Sequence, residues 1–326
     1  MDSSRDTVVI GGSAGAFSVL KGLLGQLPAD LGAAVFVTLH FTEGDRGHAA
    51  ELLAAASALP PRVASEGQPI EAGTVTFAPP NRHLLLGEHH VHVRRGPREN
   101  GFRPAVDPMF RSAAVYRGTR SIAVVLSGLL DDGAVGLEAV ARQGGLAIVQ
   151  DPADADFPDM PLAAQSAVPG ATLRATAEIA GEIARQVGRP VAAPTRAPDK
   201  MMMELKIAGL EGASMSTEDQ LGTLSPYNCP DCNGVLWEVD DSPVTRFRCH
   251  TGHAYTIATL DDAQQSALER SLYDALRANR GRADLLRRMA ERTDTQHLRE
   301  RHETAARKCE EDAHLLERII LGDRAG

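Results

Sequence analysis

Along residues 1–190, short runs of β-branched and other apolar residues alternate with longer stretches in which Ala and Leu recur at helical spacing. The runs predict strands at 7–12, 33–40, 74–78, 121–126 and 146–150. Between them the spacing predicts helices near 16–27, 49–58, 108–116 and 133–143. A strand that is apolar at every position is buried on both faces, as a parallel sheet between two helical layers requires. The expected fold class is therefore α/β, a mostly parallel doubly wound sheet. Residues 84–94 break at Gly87 and alternate in character, which predicts a hairpin inserted into that pattern.

Beyond residue 190 the pattern changes. Pro190, Pro194 and Pro198 punctuate an Ala-rich stretch, so 191–225 reads as a linker. A compact Cys/His segment occupies 226–257, and helical spacing returns over 258–326. There Leu268, Leu272 and Leu276 step by four and Leu285, Leu286 and Met289 continue the stripe. Leu298, Ala305, Leu315, Leu316 and Ile319 supply a second one. With 14 acidic and 13 basic residues interspersed over 257–326, this tail is expected to form an α-helical hairpin with a solvated surface. Such a hairpin could bind a partner or a second copy of itself.

Composition narrows the function classes. At 326 residues and 43% hydrophobic, the chain can bury a core in each of about two domains. A net charge of −9 argues against nucleic acid or anionic lipid as the main partner. No apolar run approaches the ~18 residues of a membrane span, and the opening MDSSRDTVVIGG lacks the features of a secretory signal. Four cysteines in so long a chain are too few for a disulfide scaffold. A cytoplasmic location is expected.

The most informative segment is Gly11-Gly12-Ser13-Ala14-Gly15, placed between an apolar strand and a helix. G-x-S-x-G in that context describes a sharp turn projecting a serine hydroxyl, with free amides at the helix start to hold an oxyanion. A phosphate-binding loop uses the same geometry, but neither G-x-G-x-x-G nor a P-loop is completed here. The second strand ends on His40, and the run SIAVVLSGLLDDGAVG ends in a turn carrying Asp131 and Asp132. In an open parallel sheet, functional groups gather at the carboxyl ends of the strands. A serine needs a base beside it, an imidazole with a pKa of about 6.5 can be that base, and a carboxylate can orient the imidazole. On spacing alone Asp131 rivals Asp132, and His83, His89, His90 and His92 rival His40.

In order along 6–188, VVIGGSAGAF, VTLHF, APPNRHLLL, RPAVDPMFRSAA, LSGLLDDGAVGLEAV and AIVQDPADADFPDMPLAA resemble the catalytic domain of chemotaxis protein-glutamate methylesterases (CheB). The resemblance implies a parallel α/β sheet and a serine hydrolase triad at Ser13, His40 and Asp132, with backbone oxyanion donors at Ala14 and Leu129. It implies hydrolysis of glutamyl methyl esters on methylated chemoreceptors or similar signalling proteins, with glutamine deamidation added in some members. Pro104, Asp107 and Phe110 fall in a matching segment and read as supports. Two departures stand out. Ser13-Ala14-Gly15-Ala16 replaces the family's Ser-Thr-Gly-Gly, and Leu129-Leu130 replaces a Met-Gly pair, removing glycine's left-handed freedom at Leu130. Family members commonly carry an N-terminal receiver domain, whereas this chain begins almost at the first catalytic strand. Control is then expected from the parts after the linker, acting chiefly by recruiting the protein substrate. A non-catalytic scaffold and a small-molecule esterase are the competing readings.

Cys229 and Cys232 form a C-x-x-C turn, and Cys249 follows after 16 intervening residues with His253 four positions on. Three thiolates and one imidazole at this spacing suit tetrahedral zinc in a ribbon, with strands at 235–239 and 244–248. His250 is the alternative fourth ligand. Four protein ligands leave no open position, so the zinc is expected to be structural, with no cofactor for catalysis. Cys309 reads as a small buried hydrophobe on a helical stripe.

Overall fold

The computed structural model describes residues 3–40, 49–209, 222–239 and 242–322. The chain divides into two compact units, 1–260 and 261–326. The first is built on seven strands: β1 (Thr7–Gly12), β2 (Ala34–Leu39), β3 (Pro61–Val63), β4 (Val75–Phe77), β7 (Ser121–Val125), β8 (Leu146–Gln150) and β9 (Thr172–Arg174). Their order across the sheet is β9-β8-β7-β1-β2-β4-β3, and every neighbouring pair is parallel. The hairpin is present as β5 (His83–Leu86) and β6 (Val91–Arg94).

Alternation along the strands feeds two cores. Val8 and Ile10 of β1 face α1 (Ala16–Gln26) and α6 (Thr176–Gln186), packing with Leu20, Leu23, Leu24, Ile179 and Ile183. Val9 points the other way, into α3 (Val106–Tyr116), α4 (Ala134–Arg142) and α5 (Asp159–Ala167) through Met109, Phe110, Leu137 and Met160. Burial on both sides explains why these strands read as unbroken apolar runs. A short helix, α2 (Ala49–Ala54), occupies part of 49–58.

The stretch read as a linker departs from that reading. Helix α7 (Asp199–Gly209) lies within it, with Met201, Glu204, Leu205 and Ile207 buried, while 210–221 lies outside the described residues. The Cys/His segment has four antiparallel strands: β10 (Gly222–Asn228), β11 (Val235–Val239), β12 (Arg246–Cys249) and β13 (Ala254–Thr256). The ribbon docks on the sheet domain through buried charges. Glu99 meets Arg111 of α3 at 3.1 Å and Arg248 of β12 at 3.0 Å. Glu204 of α7 meets Arg246 at 2.6 Å, Arg248 at 3.3 Å and Arg111 at 3.4 Å. Burial alone would raise the Glu99 carboxyl, but Arg111 and Arg248 outweigh it and hold Glu99 at about 2. The same balance, led by Arg246, keeps Glu204 well below the usual carboxylate range.

Removing one member of such a cluster strands the others in a dry site. Arg248→Met is therefore expected to cost the first unit about 3–5 kcal/mol, read from urea denaturation followed by Trp237 emission. Trp237 is the chain's one tryptophan and lies opposite Arg248 across the β11–β12 ladder. A loss below about 1 kcal/mol, the range of an exposed pair, would show that the cluster does not hold the ribbon.

The second unit contains most of α8 (Ile257–Glu291) together with α9 (Gln296–Ile320). Bonds from Arg287 to Glu310 at 2.7 Å and from Arg280 to Glu317 set an antiparallel register. The buried seam is one leucine and otherwise small residues: Leu276, Ala283 and Ala290, seven apart on α8, and Ala306, Cys309 and Ala313 on α9. Leu268 and Leu285 of the expected leucine stripe are instead 62% and 58% exposed. Among the described residues no helix is long and apolar enough to cross a membrane.

Candidate active site

Strand β1 delivers Ser13 at its carboxyl end, and the turn after it is fixed by close approach. Gly15 has φ 77°, and a Cβ there would lie 2.7 Å from Ser127 Oγ, so the position requires glycine. The loop after β7 closes over the turn: Ser13 N–H donates to Ser127 O at 2.9 Å, and Ser127 Oγ donates to Ala14 O at 2.8 Å. A Cβ on Gly128 would fall 2.9 Å from Ser13 Cβ, placing that loop directly against the serine. Among the described residues, neither the Ala14 nor the Leu129 amide has a protein acceptor. Leu130 takes φ 62° without being glycine, at a cost of about 1–2 kcal/mol. The loop thus keeps the left-handed turn that its sequence had been expected to forfeit.

His40 ends β2, the strand beside β1, and its N–H donates to Gly12 O at 3.2 Å. Its ring stacks on Phe102, with centroids 3.7 Å apart and planes 9° from parallel. Nε2 donates to Asp132 Oδ2 at 2.7 Å. Nδ1 is buried and has no hydrogen-bond partner among the described residues, and no hydrogen bond joins Ser13 to His40 among them.

Asp132 sits in the β7–α4 turn, 1% exposed. Besides His40 it accepts from Val106 N at 2.6 Å, Asp107 N at 3.1 Å and Asn100 Nδ2 at 3.0 Å. Burial favours the neutral acid, yet the hydrogen bond and charge of His40, with the Val106 and Asn100 donors, hold Asp132 below the usual carboxylate range. Neighbouring Asp107 is pushed up, by burial and by the Asp132 charge. It accepts from Gly133 N at 3.0 Å and Gly136 N at 2.7 Å, bracing the turn that carries Asp132.

The rivals are engaged elsewhere. Asp131 accepts from Thr256 Oγ1 at 2.8 Å. His83 is buried, with Nε2 donating to Pro97 O at 2.7 Å and Nδ1 accepting from Ala105 N at 3.3 Å, so both ring nitrogens are used structurally. His89 and His90 are exposed on the β5–β6 turn, and His92 bonds Glu66. The sequence reading missed Asn100, Phe102 and Ser127. The Asn100-Gly101 pair was a visible turn signal, but its partner Asp132 lies 32 residues on.

The ribbon gathers Cys229, Cys232, Cys249 and His253, whose ligand atoms all lie within 4.8 Å of one another. Tetrahedral zinc, with bonds of about 2.3 Å to sulfur and 2.0–2.1 Å to nitrogen, separates two sulfurs by about 3.8 Å and sulfur from nitrogen by about 3.6 Å. Cys232 and Cys249 Sγ are 3.6 Å apart, and His253 Nδ1 is 3.6 Å from Cys229 Sγ and 3.5 Å from Cys249 Sγ. The residues fit the metal. His250 is exposed and outside the group; its ring lies against Gly234, where a Cβ would be 2.1 Å away.

A doubly wound parallel sheet with a serine, a histidine and an aspartate at the carboxyl ends of three central strands defines the class: an α/β domain with its polar site at the sheet's carboxyl edge. The chain belongs to the CheB methylesterase family, whose model matches residues 8–183. It is similar to the protein-glutamate methylesterase/protein-glutamine glutaminase 1 of Cupriavidus pinatubonensis, 42% identical over 48% of this chain and 46% of that one. The corresponding protein 2 of Methanosarcina mazei is 38% identical over 49% of this chain and 46% of that protein. The chain thus spans about half the length of these curated relatives. A putative protein of the same name from Leptospira interrogans is 34% identical, with 84% of its length covered. Among solved structures, the Thermotoga maritima CheB methylesterase catalytic domain matches with TM-score 0.54 and 27% identity, covering 57% of this chain and all of that one.

Proposed function

We propose that this chain is a serine hydrolase that removes methyl groups from glutamyl methyl esters on a receptor-like signalling protein. The observation that carries the reading is the 2.7 Å bond from His40 Nε2 to an ionised Asp132, beside the strand end that presents Ser13. Asp132 fixes the tautomer, so that Nδ1 is the nitrogen free to act as base. Ser13 Oγ attacks the ester carbonyl as its proton passes to His40 Nδ1. The tetrahedral oxyanion rests on the Ala14 and Leu129 amides. His40 returns the proton to the departing methoxide, giving methanol and an acyl-serine. Water, deprotonated by Nδ1, then releases the glutamate carboxylate. Exposed Leu129 and Phe157 flank the serine turn and suit an apolar helix face carrying the ester. An amide in place of the ester would follow the same path to ammonia, the chemistry behind the relatives' second name.

The test is methanol release from a methylated receptor segment set against a simple alkyl methyl ester. The reading expects the receptor segment to be preferred in kcat/KM. Preference for the simple ester would favour a small-molecule esterase, and no release from either would favour a scaffold.

The ribbon completes the proposal. Cys229, Cys232, Cys249 and His253 would hold one zinc ion with no open position, a structural role. About one zinc per chain is expected by elemental analysis of protein purified without chelator, falling to near zero in Cys229→Ser. Metal-free wild-type protein with an ordered ribbon would contradict this.

A further inference from the structure

The last ligand of the ribbon, His253, is followed at once by β13, and β13 reaches the aspartate of the candidate triad. The contact is direct. Ala254 N donates to Arg98 O at 3.2 Å and Ala254 O accepts from Asn100 N at 2.7 Å, so β13 pairs with 98–100. Asn100 is buried, with φ 53°, and its side chain faces both ways. Its Nδ2 donates to Asp132 Oδ1 at 3.0 Å and Asp107 Oδ2 at 2.9 Å. Its Oδ1 accepts from Thr256 N at 3.3 Å and Thr259 Oγ1 at 3.2 Å. Thr256 Oγ1 in turn donates to Asp131, the residue before Asp132. Arg248 of β12, next to the ligand Cys249, bonds Glu99, next to Asn100.

We propose that the Cys/His ribbon is a positioning clamp for Asp132, with Asn100 as its positioning residue, so that metal binding at the ribbon sets the hydrolytic rate without any metal at the reaction centre. The inference rests on the Ser13–His40–Asp132 reading. It follows from satisfiability. Asn100 has two acceptors to hold and two donors to receive, Thr256 N of β13 and Thr259 Oγ1 of the first turn of α8 that β13 leads into, and losing β13 leaves the amide free to rotate away from the carboxylate. An Asp132 displaced by even about 1 Å misorients His40, a scale of error that costs about 10²-fold in rate.

The test uses the full chain, with Trp237 emission reporting the ribbon and the rate of fluorophosphonate labelling at Ser13 reporting the triad. Stripping metal with a chelator is expected to change Trp237 emission and to slow labelling at least ~10-fold, with zinc restoring both. Asn100→Gly keeps the left-handed backbone but removes the amide; kcat is expected to fall about 10–10²-fold with KM little changed. Asn100→Asp keeps the shape but adds a third carboxylate beside Asp132 and Asp107. That charge favours retaining protons there, so the acid limb of the rate profile moves to higher pH, which a merely structural residue would not cause. Labelling at the loaded rate in stripped protein whose Trp237 emission has changed would overturn the clamp, as would an unaltered kcat in Asn100→Gly. No labelling at Ser13 in the metal-loaded chain would overturn the triad, and the clamp with it.

Discussion

Ser13→Ala is expected to lower kcat for methanol release by at least ~10³-fold, with KM little altered. The hydroxyl is the only group lost, and it contributes bond formation, not substrate contact. Once it is gone no acyl-serine can form, and only the oxyanion amides and bound water remain to assist hydrolysis. The substitution is mild for the fold: Ser13 anchors its turn through its backbone N–H to Ser127 O, which alanine keeps. Unchanged Trp237 emission and unfolding midpoint would confirm that the loss is chemical.

Asp132→Asn is expected to cost about 10⁴-fold in kcat, for a reason visible in its hydrogen bonds. The carboxylate accepts from four donors: His40 Nε2, Val106 N, Asp107 N and Asn100 Nδ2. An amide in its place must turn its NH₂ toward one pair of them. Facing His40 and Val106, it forces His40 to carry its proton on Nδ1, where Ser13 needs a base. Facing Asn100 and Asp107, it sets donor against donor in a buried site and loosens the turn. Either way the imidazolium formed during the reaction loses its counter-charge. Steady-state kinetics with the receptor segment measure this, and activity within 10-fold of wild type would assign the orienting carboxylate elsewhere.

The sheet was legible because its strands are apolar on both faces, and Ser13 and His40 were legible because each ends such a strand. Spacing did not separate Asp131 from Asp132, which only the family resemblance did, since two adjacent carboxylates in one turn differ only in what they meet. Thr256 takes the first and His40 the second. Phe102 and Asn100 carry no local signal for their roles, because their partners His40 and Asp132 arrive through the fold. The docking of the ribbon was hidden for the same reason. Glu99, Arg111, Glu204, Arg246 and Arg248 each resemble an ordinary surface charge in sequence, and only the topology buries them together. Helix α7 lies just after three prolines, whose punctuation dominated the reading of 191–225. In the tail, the leucine stripe pointed to Leu276, which is buried in the seam, but the alanines beside it carry no such signal, because alanine is common on exposed and buried helix faces alike.

Truncation after residue 190 removes Glu204, Arg246 and Arg248, leaving Glu99 and Arg111 without their partners. Such a variant cannot separate recruitment from damage to the site. Removal of the second unit alone, 261–326, leaves the ion cluster intact and addresses recruitment cleanly.

The central claim is that Ser13 is the nucleophile, activated by His40. Incubation of the metal-loaded full chain with a fluorophosphonate, followed by mass mapping of the adduct, tests it most directly. The account predicts one adduct per chain, on the peptide containing Ser13, forming far more slowly in His40→Gln. An unmodified Ser13 in a chain that still releases methanol from the receptor segment would contradict it.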